Sequence, residues 1–146
     1  MFLLDTNVIS EMRKGERSNP NVRDWARSVQ PNDLYLSAAT VLELEQGVLL
    51  LERRDPIKAI ALREWLDGNV LPSFAGQIFS IDIKVARRCA ALHVPQRRPD
   101  RDAFIAATAI VHGLTVVTRN TQDFEAMGVP LINPWLSTNN NKGKNA

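Results

Sequence analysis

Asp5, Thr6 and Asn7 follow directly on the apolar run Met1-Phe2-Leu3-Leu4. A carboxylate, a hydroxyl and an amide at the end of a short buried strand place polar groups at its carboxyl end, the edge where open α/β sheets bind ligands. Further polar side chains recur wherever the pattern predicts a return to that edge: Glu43, Asp102, Thr118 and Asn120. Carboxylates gathered on one edge repel and raise each other's pKa. A hard divalent cation removes that penalty, and Mg²⁺ typically takes one or two carboxylates plus substrate phosphate and keeps several waters. Such a site lowers the pKa of a bound water and neutralises charge on a phosphodiester under attack. In this chemistry Asp5 and Asp102 are the first metal ligands. Glu43 is the third acid, able to position or deprotonate the attacking water. Thr6 and Asn7 orient Asp5 or bind a metal water, and Thr118 and Asn120 complete the rim.

The elements that must position these groups alternate between strand and helix. Residues 1–4 read as a first strand, beginning the fold at once and leaving no room for an export signal. Asn19-Pro20 is a cap and proline opening a helix with Val22, Trp25, Ala26 and Val29 at helical spacing, ended by Pro31-Asn32-Asp33. Leu34 to Leu36 is a second strand. A long helix is expected from Thr40 to Arg54, with Thr40 and Glu43 spaced as a capping box. Asp55-Pro56 opens another helix. Gln77 to Ile81 reads as the third strand, and Asp82 caps a helix carrying Val85, Cys89 and Leu92. After the polar stretch from His93 to Arg101, Asp102 is expected to start a helix that Gly113 stops. Leu114 to Thr118 is the fourth strand, Thr121 to Met127 a short helix, and Pro130 to Ile132 the last strand. This alternation predicts an α/β domain of three layers, α/β/α, around a mostly parallel central sheet. Right-handed crossovers start each helix on the sheet's carboxyl edge, which brings Asp5, Glu43, Asp102 and Asn120 to one side.

Each acid also has a plain structural reading. An Asp after a strand is often a cap or turn former. Glu43 could serve only as partner to Thr40, and Asp102 only as a first-turn acid favoured by the helix dipole. Asp82 is read as a plain cap. Asp100 competes with Asp102, and residues two apart on a helix do not share a face, so one of the two points into the site. His93 and His112 form no metal-ligand spacing, and His112 is read as a partner of a helix C-terminus. Trp25 and Trp65 are read as core. The run Val48-Leu49-Leu50-Leu51 exceeds one helix face and is read as core with a share in a subunit interface. Arg98 and Arg101, beside Asp102, with Arg97, Arg87 and Arg88 nearby, read by default as a solvated charged loop; beside an acidic edge they are also candidates to hold a nucleic-acid backbone that carboxylates alone would repel.

Composition adds limits. The chain has 146 residues and a net charge of +2, but the tail from Ser137 to Ala146 carries Lys142 and Lys144 and no acid. Without those lysines, sixteen cations face sixteen acids, so the body is neutral and the basic pI of about 9.0 is no signature of nucleic-acid binding. Residues 1–136 are read as one domain and 137–146 as a disordered polar tail. The single Cys89 excludes a disulfide framework, and the absence of a long apolar span points to a cytoplasmic protein with no membrane partner.

The segments Asp5-Thr6-Asn7, Thr40-Val41-Leu42-Glu43-Leu44, Asp102-Ala103-Phe104-Ile105-Ala106-Ala107 and Leu114-Thr115-Val116-Val117-Thr118-Arg119-Asn120, taken in order, resemble a PIN domain. More narrowly the chain resembles the VapC toxins of bacterial type II toxin–antitoxin pairs, FitB branch, with Asn133-Pro134-Trp135 fitting that branch. The resemblance implies a ribonuclease that uses Mg²⁺ or Mn²⁺. It implies Asp5 and Asp102 as metal-site acids and Glu43 as third acid, with transfer RNA as leading substrate. It also implies a homodimer, held inactive by a VapB-like antitoxin that reaches operator DNA through its own DNA-binding end. Many members have a fourth acid where this chain has Asn120, which leaves one or two metals open. Asp123 could contribute through water at a different spacing.

Three other readings stay in view. A phosphorelay receiver would need paired acids after the first strand and a lysine after the last, where this chain has Asp5 alone and Asn133-Pro134. A phosphatase of the haloacid type would need Asp at position 7, which is Asn7. A PIN-like RNA-binding or regulatory module without catalysis is compatible with Asn120.

Overall fold

In the computed structural model, which describes residues 1–137, five strands form one sheet: β1 (Phe2–Leu4), β2 (Leu34–Ser37), β3 (Ile78–Phe79), β4 (Thr115–Val117) and β5 (Leu131–Ile132), in the order β3-β2-β1-β4-β5. Every adjacent pair runs parallel, so the expected mostly parallel sheet is wholly parallel among the described residues. Parallel strands are covered on both faces by their crossover helices, and their sequences read as continuous apolar runs. The pleat then sends neighbouring residues to opposite layers. Leu3 and Val116 pack with Val85, Cys89, Ile105 and Phe124 on one side. Leu4 and Val117 pack with Val8, Leu44, Val48 and Leu66 on the other. The result is the α/β/α sandwich that alternation predicted.

Among the described residues seven helices fill the outer layers: α1 (Thr6–Met12), α2 (Pro20–Ser28), α3 (Ala38–Arg54), α4 (Pro56–Trp65), α5 (Ile83–Leu92), α6 (Asp100–His112) and α7 (Thr121–Glu125). α4 continues through a π-helical turn, Leu66–Val70, into a last turn, Leu71–Ser73. α2 starts as expected, with the Asn19 side chain accepting from the Asn21 amide at 2.9 Å and Pro20 at its first position. Asp82 caps α5 through the Val85 amide at 2.9 Å. α6 stops at Gly113, whose φ of +68° suits a residue without Cβ.

Several expectations are corrected. α1 had no counterpart in the sequence reading: the chain turns into helix immediately after Asp5. α3 starts at Ala38, not Thr40, because Ser37 caps it by accepting from the Ala39 amide at 3.1 Å. Thr40 is fully buried and Glu43 lies beyond the first turn, so the two form no capping box. α6 starts at Asp100, two residues before Asp102, so Asp102 does not open the helix. Of the run Val48 to Leu51, only Val48 joins the core, while Leu49 and Leu50 are 53% and 62% exposed. His112 does sit in the last turn of α6, and its ring stacks on Phe79 at 3.8 Å. No described helix is long and apolar enough to cross a membrane. The expected tail lies almost wholly outside the described residues.

Candidate active site

The strand order reverses direction at β1, which lies between β2 and β4. Crevices at such a switch point, outside the carboxyl ends of the strands, are where open α/β sheets take ligands. Asp5 follows β1 and Thr118 follows β4, and the two meet there. The buried Thr118 hydroxyl donates to Asp5 Oδ2 at 2.8 Å. The Asn7 amide donates to the same oxygen at 3.3 Å, and the Thr6 backbone N–H donates to Oδ1 at 2.7 Å. Asp5 is thus both the cap of α1 and a fixed, 6% exposed carboxylate, so the cap reading and the site reading hold together. Thr118 Oγ1 also accepts from the Asn120 N–H at 3.0 Å, and Asn7 Oδ1 accepts from the Arg119 N–H at 3.3 Å. These bonds lock the loop after β4 against the start of α1.

Glu43 and Asp102 reach this centre from α3 and α6. Burial raises the Asp5 carboxyl above its usual range despite the bonds from Thr118 and Thr6, and the charges of Glu43 and Asp123 push the same way. Asp102 is pushed up to about 6, first by burial and then by Asp5, Asp123 and Glu43. Four acids therefore share one field. Asp100, in the same first turn as Asp102, turns away: it lies 3.4 Å from Arg97 and 3.6 Å from His93 Nε2. The rule that one of the two faces the site holds, and it selects Asp102.

The remaining candidates divide. Asn7 and Thr118 do orient Asp5 directly. Thr6 does so through its backbone alone, since its hydroxyl is buried without a hydrogen-bond partner. Asn120 precedes α7 at the rim, exposed, and its side chain makes no capping bond. Arg101 hydrogen-bonds the side chain of Gln46, one turn along α3 from Glu43, so it borders the acids. Arg98 gives its backbone N–H to His93 Nδ1 at 3.0 Å, and its Nε is buried and unpartnered. Asp123 was the acid sequence spacing underweighted: placed in the first turn of α7, it acts on both Asp5 and Asp102.

Among the described residues no three His, Cys, Asp or Glu side chains are already gathered as a metal-holding group. The donor chemistry nevertheless fits a hard cation. The oxygens are carboxylates, two of them hold their protons more tightly than usual, and Mg²⁺ needs only one or two protein carboxylates when waters and phosphate supply the rest.

Residues 2–130 match the PIN domain. The chain belongs to the PIN-domain family. It is 39% identical over 140 residues to the VapC ribonuclease Y4jK of Sinorhizobium fredii, an alignment covering 92% of this chain and 98% of that protein. The solved structure of FitAcB from Neisseria gonorrhoeae superposes with a TM-score of 0.83 at 43% identity, over 92% of this chain and 99% of that one. The structure of FitAB bound to the IR36 DNA fragment superposes equally well, at 0.83 and 40% identity, over 93% and 96%. This PIN domain therefore stands among the VapC and FitB ribonuclease toxins, as the order of its motifs implied.

Proposed function

We propose that this PIN domain is a divalent-metal-dependent endoribonuclease and the toxin of a type II toxin–antitoxin pair. The observation that carries the reading is the coupled set of acids at the switch point, with Asp5 fixed by Thr118. Asp5 and Asp102 would hold Mg²⁺ or Mn²⁺, with Glu43 as third acid. The cation, when bound, supplies charge neutralisation for the phosphodiester and a more acidic water.

The chain's own residues do the rest. Thr118, Asn7 and the Thr6 N–H fix the Asp5 carboxylate and leave acceptor capacity on Oδ1. Glu43 takes a proton from the attacking water. Asn120 and Asp123 border the same crevice, Asp123 adding the charge that Asn120 lacks. Arg101 and Arg98 stand beside Asp102 as the first cations an RNA phosphate would meet. Transfer RNA is the leading substrate class, which places the protein in the cytoplasm.

A VapB-like antitoxin would silence the site by setting a cationic side chain among the acids, and would carry any contact with operator DNA itself. Leu49 and Leu50 of α3 and Ile57 and Ile60 of α4 are exposed apolar side chains, which a second copy would cover in a homodimer. The domain is taken to end at residue 136, with a polar tail after it. A binding module without catalysis is the second reading, favoured only by Asn120.

The test is brief expression in growing cells with RNA 5′ ends sequenced. New ends and growth arrest are expected, both reversed by the antitoxin and both absent for Asp5→Asn. Growth arrest without new RNA ends would reject the nuclease and favour the module.

A further inference from the structure

A groove of about 550 Å³ lies between α5 and the end of α6 remote from Asp102. Lys84, Arg87 and Arg88 form its basic wall, and Ile83, Ile110 and Val111 give it apolar surface. The three cations fall at i, i+3 and i+4 on one face of α5, opposite the buried Val85 and Cys89. Like charges at this spacing repel and weaken their own helix. Yet none of the three takes part in an ion pair among the described residues, whereas Arg23, Arg63 and Arg97 all do. Residues 83–99 hold five cations and no acid, in a domain whose body is neutral as a whole. The groove is therefore a local positive field with no anion of its own to answer it.

α6 connects this field to the acid cluster. Asp102 sits in its first turn and Ile110 near its last, eight residues apart, or about 12 Å of helix. That is roughly four stacked nucleotides at about 3.4 Å each. A strand engaged at Asp102 and laid along α6 would reach Lys84, Arg87 and Arg88 with its phosphates. Guanidinium planes can stack on unpaired bases, and the isoleucines would meet ribose and base faces. An acidic amphipathic peptide shares some of this chemistry. The continuity of the basic run with the acid site through α6 favours the nucleic acid.

We propose that this groove is an accessory binding site for the RNA backbone, outside the acid cluster, engaging substrate about four nucleotides from the scissile phosphate. It rests on the nuclease reading above.

The test uses the full chain and a triple variant, Lys84→Gln with Arg87→Gln and Arg88→Gln. All three side chains are exposed and their mutual repulsion is removed, so the unfolding midpoint should hold or rise slightly. Binding of bulk transfer RNA is measured in EDTA, where nothing is cleaved, across a salt series. The variant should bind at least tenfold more weakly at low salt. Its log–log salt slope should drop by about 2, three phosphate contacts at about 0.7 each for single strands. Cleavage of a trinucleotide, too short to reach the groove, should keep its kcat/KM. Unchanged transfer RNA affinity and slope would overturn the proposal. So would a variant that binds RNA normally but loses affinity for the antitoxin, which would make the groove a protein-docking surface. If the unaltered protein cleaved no RNA at any metal concentration, the nuclease reading would fall by itself. The EDTA binding series would still decide the groove.

Discussion

Replacing Asp102 by Asn should make the metal-free protein more stable while removing its activity. Asp102 titrates near 6 against an ordinary 3.8, about two units, and one unit is worth 1.36 kcal/mol. The ceiling is therefore about 3 kcal/mol of penalty for holding the ionised form in the fold. Asp102 is only half-buried, so solvent screening brings the expected gain to about 1–2 kcal/mol. For a domain of this length, that is a rise in Tm of about 3–6 °C. The sign with pH follows from proton counting. Between about pH 4 and 6 the native state holds more protons than the unfolded state, so stability falls as pH rises through that window. The penalty is fully present above the folded pKa and absent below the unfolded one. Thermal unfolding in EDTA at pH 7.5 and at pH 4 reads both ends: Asp102→Asn should lead at the first and lose that lead at the second. A variant no more stable than the parent at pH 7.5, or equally advantaged at pH 4, would refute the penalty that burial, and then the neighbouring acids, place on the ionised form.

Thr118→Val should keep the fold but free Asp5 from its 2.8 Å bond, so cleavage should fall by about ten- to a hundredfold while RNA affinity in EDTA holds; loss of both would point to a collapsed loop. Mn²⁺ should raise the Tm of the unaltered protein by preferential binding to the native state and leave an Asp5→Asn, Asp102→Asn double variant unmoved; an equal rise in both would mark a nonspecific ion effect. Asp82→Asn, at the cap of α5, keeps an acceptor for the Val85 amide and should cost only a few tenths of a kcal/mol, from the lost charge at the helix N-terminus, and no activity; an inactive but folded variant would enlarge the site. In the antitoxin, changing the basic residue at the acids to Ala should weaken inhibition more than changing its apolar neighbours, and inhibition should weaken as Mn²⁺ rises, because a charge-assisted contact is being replaced.

What the sequence revealed follows the strength of each local signal. Leu3-Leu4 before Asp5, and Val116-Val117 before Thr118, are buried runs ended by polar residues, and both marked the edge that the sheet then brought together. α1 went unseen because seven residues give barely two turns, too few for Val8, Ile9 and Met12 to declare a period. Thr40 and Glu43 imitate a capping box and suggest too late a start for the long helix, while the hydroxyl that caps it is that of Ser37. That error bore on function: once Glu43 is no cap partner, its plain structural reading loses its support. Asp100 and Asp102 could be sorted by helical geometry only into one in and one out, and the ion pairs of Asp100 decide which. Spacing from Asn120 gives Asp123 little weight, but its influence on Asp5 and Asp102 depends on where α7 starts. Leu49 and Leu50 read as core because a leucine run carries no direction, and only the packing of Val48 shows which residue faces inward.

Fixed carboxylates that burial and one another's charge hold above their usual pKa would make a metal-dependent hydrolytic site. The most direct measurement is the rate of RNA cleavage by purified protein across a Mn²⁺ titration, for the unaltered chain and for Asp5→Asn at matched purity and fold. Saturable cleavage is expected in the unaltered protein, none in EDTA, and none for Asp5→Asn at any Mn²⁺ concentration. Full cleavage by Asp5→Asn, or cleavage that survives EDTA, would contradict a metal-dependent site.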